Sequence, residues 1–324
     1  MTINSYLGNP LLKSLNTPQN YTKEEIEEYI KCRDDPIYFI TTYMTIVNVD
    51  KGLMKFELWP FQKELITKLV ENRFSIVKCP RQSGKSQTSL AFMLHYILFN
   101  DQKNIAILAN KGATARELLG RLQFAYEKLP MFLQQGVSEW NKGSIFLENG
   151  SRILASSTSS SAIRGFSFNL IFLDEFAFVP QNLAEEFFNS VYPTISSGQN
   201  SKVIIVSTPN GMNHFYKMWT NAVEGRSDYH PFAINWSDVP GRDEEWKRQT
   251  IANTNEEQFR QEFETEFLGS AGTLVKPAKI AELTIKTPIS RRDNFDVYEE
   301  TIEGHQYFIT VDVAEGRGQD YSTF

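Results

Sequence analysis

Two short stretches set groups able to handle phosphate at the ends of apolar runs. In "VKCPRQSGKSQ", residues 77–87, a strand-like run leads into Gly84-Lys85-Ser86 and then into a helical stretch. At a strand-to-helix junction this tripeptide aims backbone N–H groups and the positive helix end at one point, which suits a triphosphate. Lys85 would reach the β- and γ-phosphates, and the Ser86 hydroxyl would ligate Mg2+. Pro80, Arg81, Gln82, Ser83, Gly84, Lys85, Ser86 and Gln87 are therefore candidate nucleotide contacts. The usual loop, G-x-x-x-x-G-K-[ST], opens on a glycine, and here Cys79 stands at that position. A serine-containing turn before a core helix is the competing reading.

"NLIFLDEF", residues 169–176, is a buried-strand pattern closed by two acids. Transferring a phosphoryl group to water needs one carboxylate to hold the metal and another to polarise the water. Asp174 suits the first task and Glu175 the second, unless the pair only marks the end of a strand. In "KVIIVSTPNG" the hydroxyls of Ser207 and Thr208 end another apolar run. They could sense the γ-phosphate, or cap the turn at Pro209-Asn210-Gly211.

These groups need a scaffold that brings strand ends together. Between about residues 58 and 236, apolar runs ("FSIVKC", "NIAILAN", "NLIFLDE", "KVIIVST", "FAINW") alternate with helical patterns. The helical stretches carry Leu90, Met93, Leu94 and Ile97 on one face, and Leu118, Leu122, Ala125 and Leu129 on another. The alternation predicts an α/β fold with a mainly parallel sheet and helices on both sides. Asn149-Gly150 between apolar segments predicts a hairpin. Thr22 with Glu25, and Thr254 with Glu257, predict capping boxes. Residues up to about 20 read as a loose polar segment, and residues 240–270 as a charged helical subdomain.

Composition narrows the function classes. The 324-residue chain is 41% hydrophobic, enough for a large core and more than one domain. Two cysteines and four histidines, without ligand spacing, argue against a disulfide framework or a zinc site. A net charge of −6 disfavours a chain coated in basic residues for tight DNA binding alone, leaving a local basic face or DNA contact within an assembly. No run reaches the roughly 20 apolar residues of a membrane span.

Taken in order, "PRQSGKS", "EWNKGSI", "IRGFSF", "LIFLDEFAF", "ISSG", "STPNGMNHFYKMW" and "VDVAEGRGQDY" resemble the large terminase subunit of tailed bacteriophages, in the form found in contractile-tailed phages. The likeness runs from about residue 21 to the C-terminus. It implies a P-loop NTPase of the additional-strand, catalytic-glutamate class, with ATP and Mg2+ as cofactors. The deviant loop of that family carries an arginine matched by Arg81, proposed to act as a finger in cis on the γ-phosphate. Such a charge is worth roughly 10³–10⁵ in rate in comparable enzymes. Arg81 could instead contact phosphate for binding alone, or pair with a surface acid. "LWPFQKEL" matches the adenine-recognition segment, with Gln62 reading the base and Trp59 or Phe61 stacking on it; the other reading is a helix start whose Phe61, Leu65 and Leu69 face the core. Ser207 and Thr208 fall in the coupling motif, and Arg164 becomes a phosphate or neighbour-subunit contact.

The resemblance further implies residues 1–50 as an N-terminal helical segment packing with the lid, 51–239 as the ATPase core, 240–275 as a helical lid, 276–300 as a connector and 301–324 as the truncated start of a ribonuclease-H-like nuclease. Asp312 and Asp320 match its metal-binding acids, which would take Mg2+ or Mn2+ only in a completed site, so nuclease activity is not expected of this chain. The implied work is ATP-driven packaging of double-stranded DNA into a procapsid in the host cytoplasm, with no membrane involved. The implied partners are the portal, a small terminase subunit and copies of the chain itself as a pentamer. A helicase-like DNA motor of the same class, or a nucleotide-binding assembly subunit without turnover, are the alternatives.

Overall fold

In the computed structural model, residues 5–158, 167–196, 198–269, 288–292 and 295–306 are described. The apolar runs form β3 (Phe74–Lys78), β4 (Asn104–Ala109), β8 (Leu170–Asp174), β9 (Lys202–Ser207) and β10 (His230–Ala233). Together with β5 (Val137–Trp140), β6 (Ser144–Leu147) and β7 (Arg152–Ser157) they make one sheet in the order β10-β3-β9-β8-β4-β7-β6-β5. Pairing is parallel from β10 through β7 and antiparallel for β6 and β5.

Successive side chains of the central strands enter two different cores, as the two-residue period of a strand requires. Val77, Ile105, Ile107, Phe172, Ile204 and Val206 face one cluster, while Ile76, Ala106, Leu108, Ile171, Leu173 and Ile205 face the other. The first face is covered by α2 (Pro36–Tyr43), α3 (Pro60–Glu71), α4 (Lys85–Leu98) and α5 (Gly112–Glu127), through residues such as Ile40, Leu65, Leu94 and Leu122. The second is covered by α6 (Gln181–Ser196) and α7 (His214–Val223), through Phe187 and Phe215. The hairpin at Asn149-Gly150 joins β6 to β7, and Gly150 takes a left-handed φ of 77° that a side chain would strain.

Several local expectations need correction. The first 20 residues are not loose where they are described. Leu12 is buried, and the carbonyl of Lys13 accepts from Val137 N at 2.8 Å, so the segment lies along the β5 end of the sheet, an edge otherwise open to further pairing. Thr22 caps α1 (Lys23–Asp34) as expected, with the reciprocal Glu25 bond. The N-terminal helices, expected beside residues 240–275, sit on the core helices: His95 of α4 reaches the carbonyls of Cys32 and Arg33 at 3.0 and 3.1 Å, and Phe39 packs on His95 and Phe99. An unforeseen hairpin, β1 (Thr45–Asn48) with β2 (Gly52–Lys55), follows them.

In the helical segment, α8 (Glu244–Asn253) and α9 (Glu256–Glu262) are separated one residue later than the Thr254 cap predicts. Asn255 caps α9 by accepting from Gln258 N, while the Thr254 hydroxyl turns back to the carbonyl of Thr250. Chain contacts separate Met1–Leu268 from Gly269–Phe324, so α8 and α9 belong to the first unit. The described part of the second contains β11 (Ser290–Arg292) paired with β12 (Phe295–Val297), where a plain connector was expected. Among the described residues no helix is long and apolar enough to cross a membrane.

Candidate nucleotide and magnesium site

Parallel pairing aligns the carboxyl ends of three central strands. Lys78 lies opposite Ser207, and Asp174 opposite Val206, so the loops that follow β3, β9 and β8 leave from one edge of the sheet. Open α/β sheets bind ligands at this edge. The phosphate loop follows β3, and α4 begins at Lys85 with Gly84 as its N-cap at φ 74°. The left-handed φ favours glycine at this position, and a Cβ on Gly84 would also stand 2.5 Å from Nε2 of Gln62, which would have to move aside. Within the loop, the buried Ser83 donates its hydroxyl to the carbonyl of Pro80 at 2.9 Å. Gln82 is exposed and Gln87 half-buried.

The acids and the lysine converge. Lys85 Nζ lies 2.6 Å from Glu175 Oε1 and donates to Thr208 Oγ1 at 3.3 Å. Ser86 donates to Asp174 Oδ1 at 2.9 Å. Consecutive residues of an extended strand point to opposite faces. Glu175 instead takes a left-handed φ of 50° immediately after β8, and this turn brings both carboxylates toward Lys85. Thr208 N donates to Glu175 Oε2 at 3.4 Å. The Ser207 hydroxyl accepts from Ala177 N at 3.0 Å and donates to the Thr208 carbonyl at 2.8 Å, tying the ends of β8 and β9 together.

The electrostatics suit a cation beside phosphate. Burial, with Glu175 adjacent, pushes the Asp174 carboxyl up to about 6 against the pull of Lys85, Ser86 and Arg121. A desolvated carboxylate paired with a hydroxyl oxygen is a hard donor set that Mg2+ would satisfy together with phosphate oxygens and water. Burial works against the Lys85 ammonium, yet Cys79, Glu175 and Asp174 leave its pKa above the ordinary lysine value. The Cys79 thiol is itself pushed up to about 12 by burial, so the carboxylates carry that effect at neutral pH.

Two expected nucleotide contacts are engaged elsewhere in the chain. Gln62 is buried; its Oε1 accepts from Trp59 N at 3.0 Å and its Nε2 donates to the Ser83 carbonyl at 3.3 Å. It closes the first turn of α3 and props the phosphate loop, so reading a base would require it to exchange these partners. Phe61 packs into the core and Trp59 is half-buried, their ring centroids 5.6 Å apart. Arg81 pairs through Nε with Glu262 of α9, and its N–H donates to the Glu262 carbonyl at 3.0 Å. The pairing with an acid weighed for Arg81 in the sequence is thus realised in this structure. Asp312, Asp320 and Arg164 lie outside the described residues.

Sequence reasoning missed Glu262 and Arg242, which ties α8 to the loop by donating Nη2 to the carbonyls of Arg81 at 2.9 Å and Gln82 at 3.4 Å. Both lie more than 150 residues away from the loop, in a stretch whose charge pattern reads only as a solvated helical face.

Comparison with known proteins finds the same kind of fold. An arginine-to-alanine mutant of the large terminase ATPase domain of Thermus phage P74-26 superposes with a TM-score of 0.56 at 20% identity, covering 66% of this chain and 95% of that one. The HK97 bacteriophage large terminase gives 0.61 at 18% identity, covering 72% and 55%. At these identities the likeness is one of fold. The terminase large subunit of Thermus phage G20c is 29% identical over 177 residues, which is 50% of this chain and 34% of that protein, so the match spans about a third of its relative. Residues 76–281 match the family described as terminase large subunit, T4likevirus-type, N-terminal, and since they make up more than half of the sequence, the chain belongs to that family.

Proposed function

We propose that this chain is the ATP-hydrolysing part of a motor that drives double-stranded DNA into a viral procapsid. The observation that carries the reading is the meeting of Lys85, Glu175, Ser86, Asp174 and Thr208 at the carboxyl edge of one parallel sheet. The position of β9 between β3 and β8 supports the additional-strand class of P-loop NTPase.

The roles follow from geometry. A triphosphate entering at Gly84 competes with Glu175 for Lys85, whose ammonium then neutralises β- and γ-phosphate oxygens. Glu175, released, accepts the proton of the attacking water. Ser86 and Asp174 would hold Mg2+, which when bound would supply charge neutralisation to the triphosphate. Thr208, touching both Lys85 and Glu175, is placed to register this exchange, and Ser207 passes it to Ala177 and the loop after β8. Arg81 acts as a finger in cis only after leaving Glu262. Gln62 reads adenine on the same condition, giving up its bonds to Trp59 and Ser83.

In this reading residues 51–239 are the ATPase core and 240–275 the lid. Portal, small terminase subunit and a pentamer of this subunit are the partners, at work in the host cytoplasm. The test is phosphate release by the purified chain with ATP and Mg2+: turnover is expected, and Lys85→Ala abolishes it together with nucleotide binding. A Lys85→Ala variant that binds and hydrolyses like the parent would end the proposal. The packaging role is tested by ATP-dependent protection of double-stranded DNA from added nuclease in the presence of portal-bearing procapsids.

A further inference from the structure

The front half of the phosphate loop poses a physical problem. Where related loops begin on glycine, this one runs Cys79-Pro80-Arg81-Gln82, and Gln82 sits at φ 55°, a left-handed conformation that a side chain disfavours. Inside the loop the Ser83 hydroxyl closes the turn on the Pro80 carbonyl, and the remaining hold on Gln82 comes from outside. The only ties from Arg81 and Gln82 to α8 and α9 among the described residues run through Arg242 and Glu262.

Arg242 is built for a fixed position. It directly precedes Asp243, the N-cap of α8, and its guanidinium carbon lies 4.7 Å from the Trp246 ring centroid and 5.4 Å from that of Phe263. Those rings belong to an aromatic cluster with Trp236 and Phe259 that joins α8 to α9. Stacking fixes the plane of the fork, and Nη2 then reaches the carbonyls on both sides of the strained Gln82 peptide. Nη1 is buried with no hydrogen-bond partner. Such a group is costly unless the position of the side chain is needed.

We infer that Arg242 is the positioning residue that holds Gln82 in the left-handed region at the glycine-poor front of the phosphate loop, a task that the Ser83–Pro80 bond and the Gln62 prop behind it do not complete. The helical segment thereby becomes part of the nucleotide site: without it the Gln82 peptide relaxes out of the left-handed region and the loop no longer presents its N–H groups as a cradle. This rests on the proposed nucleotide site and adds to it how that site is shaped.

The test is a double-mutant cycle read by titration with a fluorescent ribose-labelled ATP analogue and Mg2+. Arg242→Ala should raise the Kd about tenfold, the scale of a lost hydrogen bond from a charged donor. Arg242→Lys should not recover it, because a flexible ammonium cannot stack and fork at once. In the Gln82→Gly background glycine accepts the left-handed turn unaided, so Arg242→Ala should shift the Kd by no more than about twofold relative to Gln82→Gly alone. A group that merely braces the lid, or one that touches the nucleotide directly, would lose the same tenfold on both backgrounds. That result, or an unchanged Kd in Arg242→Ala, would overturn the inference. If Arg242→Ala does not fold, Arg242→Lys carries the same cycle with the same two outcomes. Parent protein that fails to bind the analogue, or a Lys85→Ala variant that binds it as well as the parent, would fall on the proposed function itself and take this inference with it.

Discussion

Replacing Glu175 by Gln separates the two tasks assigned to that carboxylate, because it keeps shape and removes charge. Lys85 has 8% of its side chain exposed and Glu175 29%, so their 2.6 Å contact is a largely desolvated ion pair. A hydrogen bond with a charged partner is worth roughly 1.5–3 kcal/mol and a neutral one roughly 0.5–1.5. The amide therefore holds Lys85 about 1 kcal/mol less tightly, and a triphosphate competing for the same ammonium gains that difference. At 1.4 kcal/mol per tenfold, the Kd for ATP should fall about fivefold. Loss of the proton acceptor should lower turnover by roughly 10²–10⁴. Without nucleotide the variant should melt earlier, since Lys85 keeps its burial and loses part of its compensation. Equilibrium titration and single-turnover phosphate release read the two effects independently. Turnover near the parental rate would remove the general base. Weaker ATP binding would refute the competition between Glu175 and phosphate for Lys85, even if turnover were lost.

Two further outcomes test other parts of the reading. Arg81→Ala should reduce kcat by about a thousandfold while changing the Kd for ATP little, as a finger acting on the transition state requires; a loss confined to affinity would make Arg81 a binding residue only. Burial holds His95 below the ordinary histidine value of 6.5, outweighing the Cys32 and Arg33 carbonyls and Asp35 that favour its charge. The unfolded chain then takes up a proton first, so this contribution is complete above about pH 6.5 and is lost as pH falls toward the depressed folded value. His95→Gln should flatten the fall in thermal stability between about pH 7 and pH 5, and an unchanged slope would refute the assignment.

The parts of the site that could be read in the sequence are those whose neighbours are fixed by local pattern. An apolar run closed by Asp174-Glu175 and another closed by Ser207-Thr208 place their polar ends at the carboxyl edge once the strands are parallel, with no further information needed. The β1–β2 hairpin was also marked locally, since Asn48 Oδ1 accepts from the N–H groups of Asp50 and Lys51 ahead of Gly52. It passed unread because Asn and Asp shape such turns through side-chain bonds that periodicity does not register. The cap of α9 is a closer miss: Thr254 and Asn255 both suit the position, and the one-residue difference depends on where α8 ends. Gln62 was legible as a polar residue at a helix start, but its bond to Ser83 joins segments 21 residues apart, and that required the fold. Arg242 and Glu262 lie further out again, reaching the loop across 160 and 181 residues.

The same contrast explains why the site tolerates two non-glycine residues in left-handed backbone. Gln82 and Glu175 flank the proposed phosphate position, and neither conformation is favoured locally. Each is held from a distance, Gln82 through the Arg242 fork and Glu175 through Lys85 and the Thr208 N–H. The holds differ in kind. Arg242 grips two backbone carbonyls that a nucleotide does not need, so in the proposed site its tie would survive binding. Lys85 grips Glu175 by the same ammonium that phosphate would attract, so in the proposed function nucleotide binding would loosen that pair while leaving the front of the loop clamped. In the proposed reaction, an arriving triphosphate would free the Glu175 carboxylate from Lys85 at the step where it turns to water.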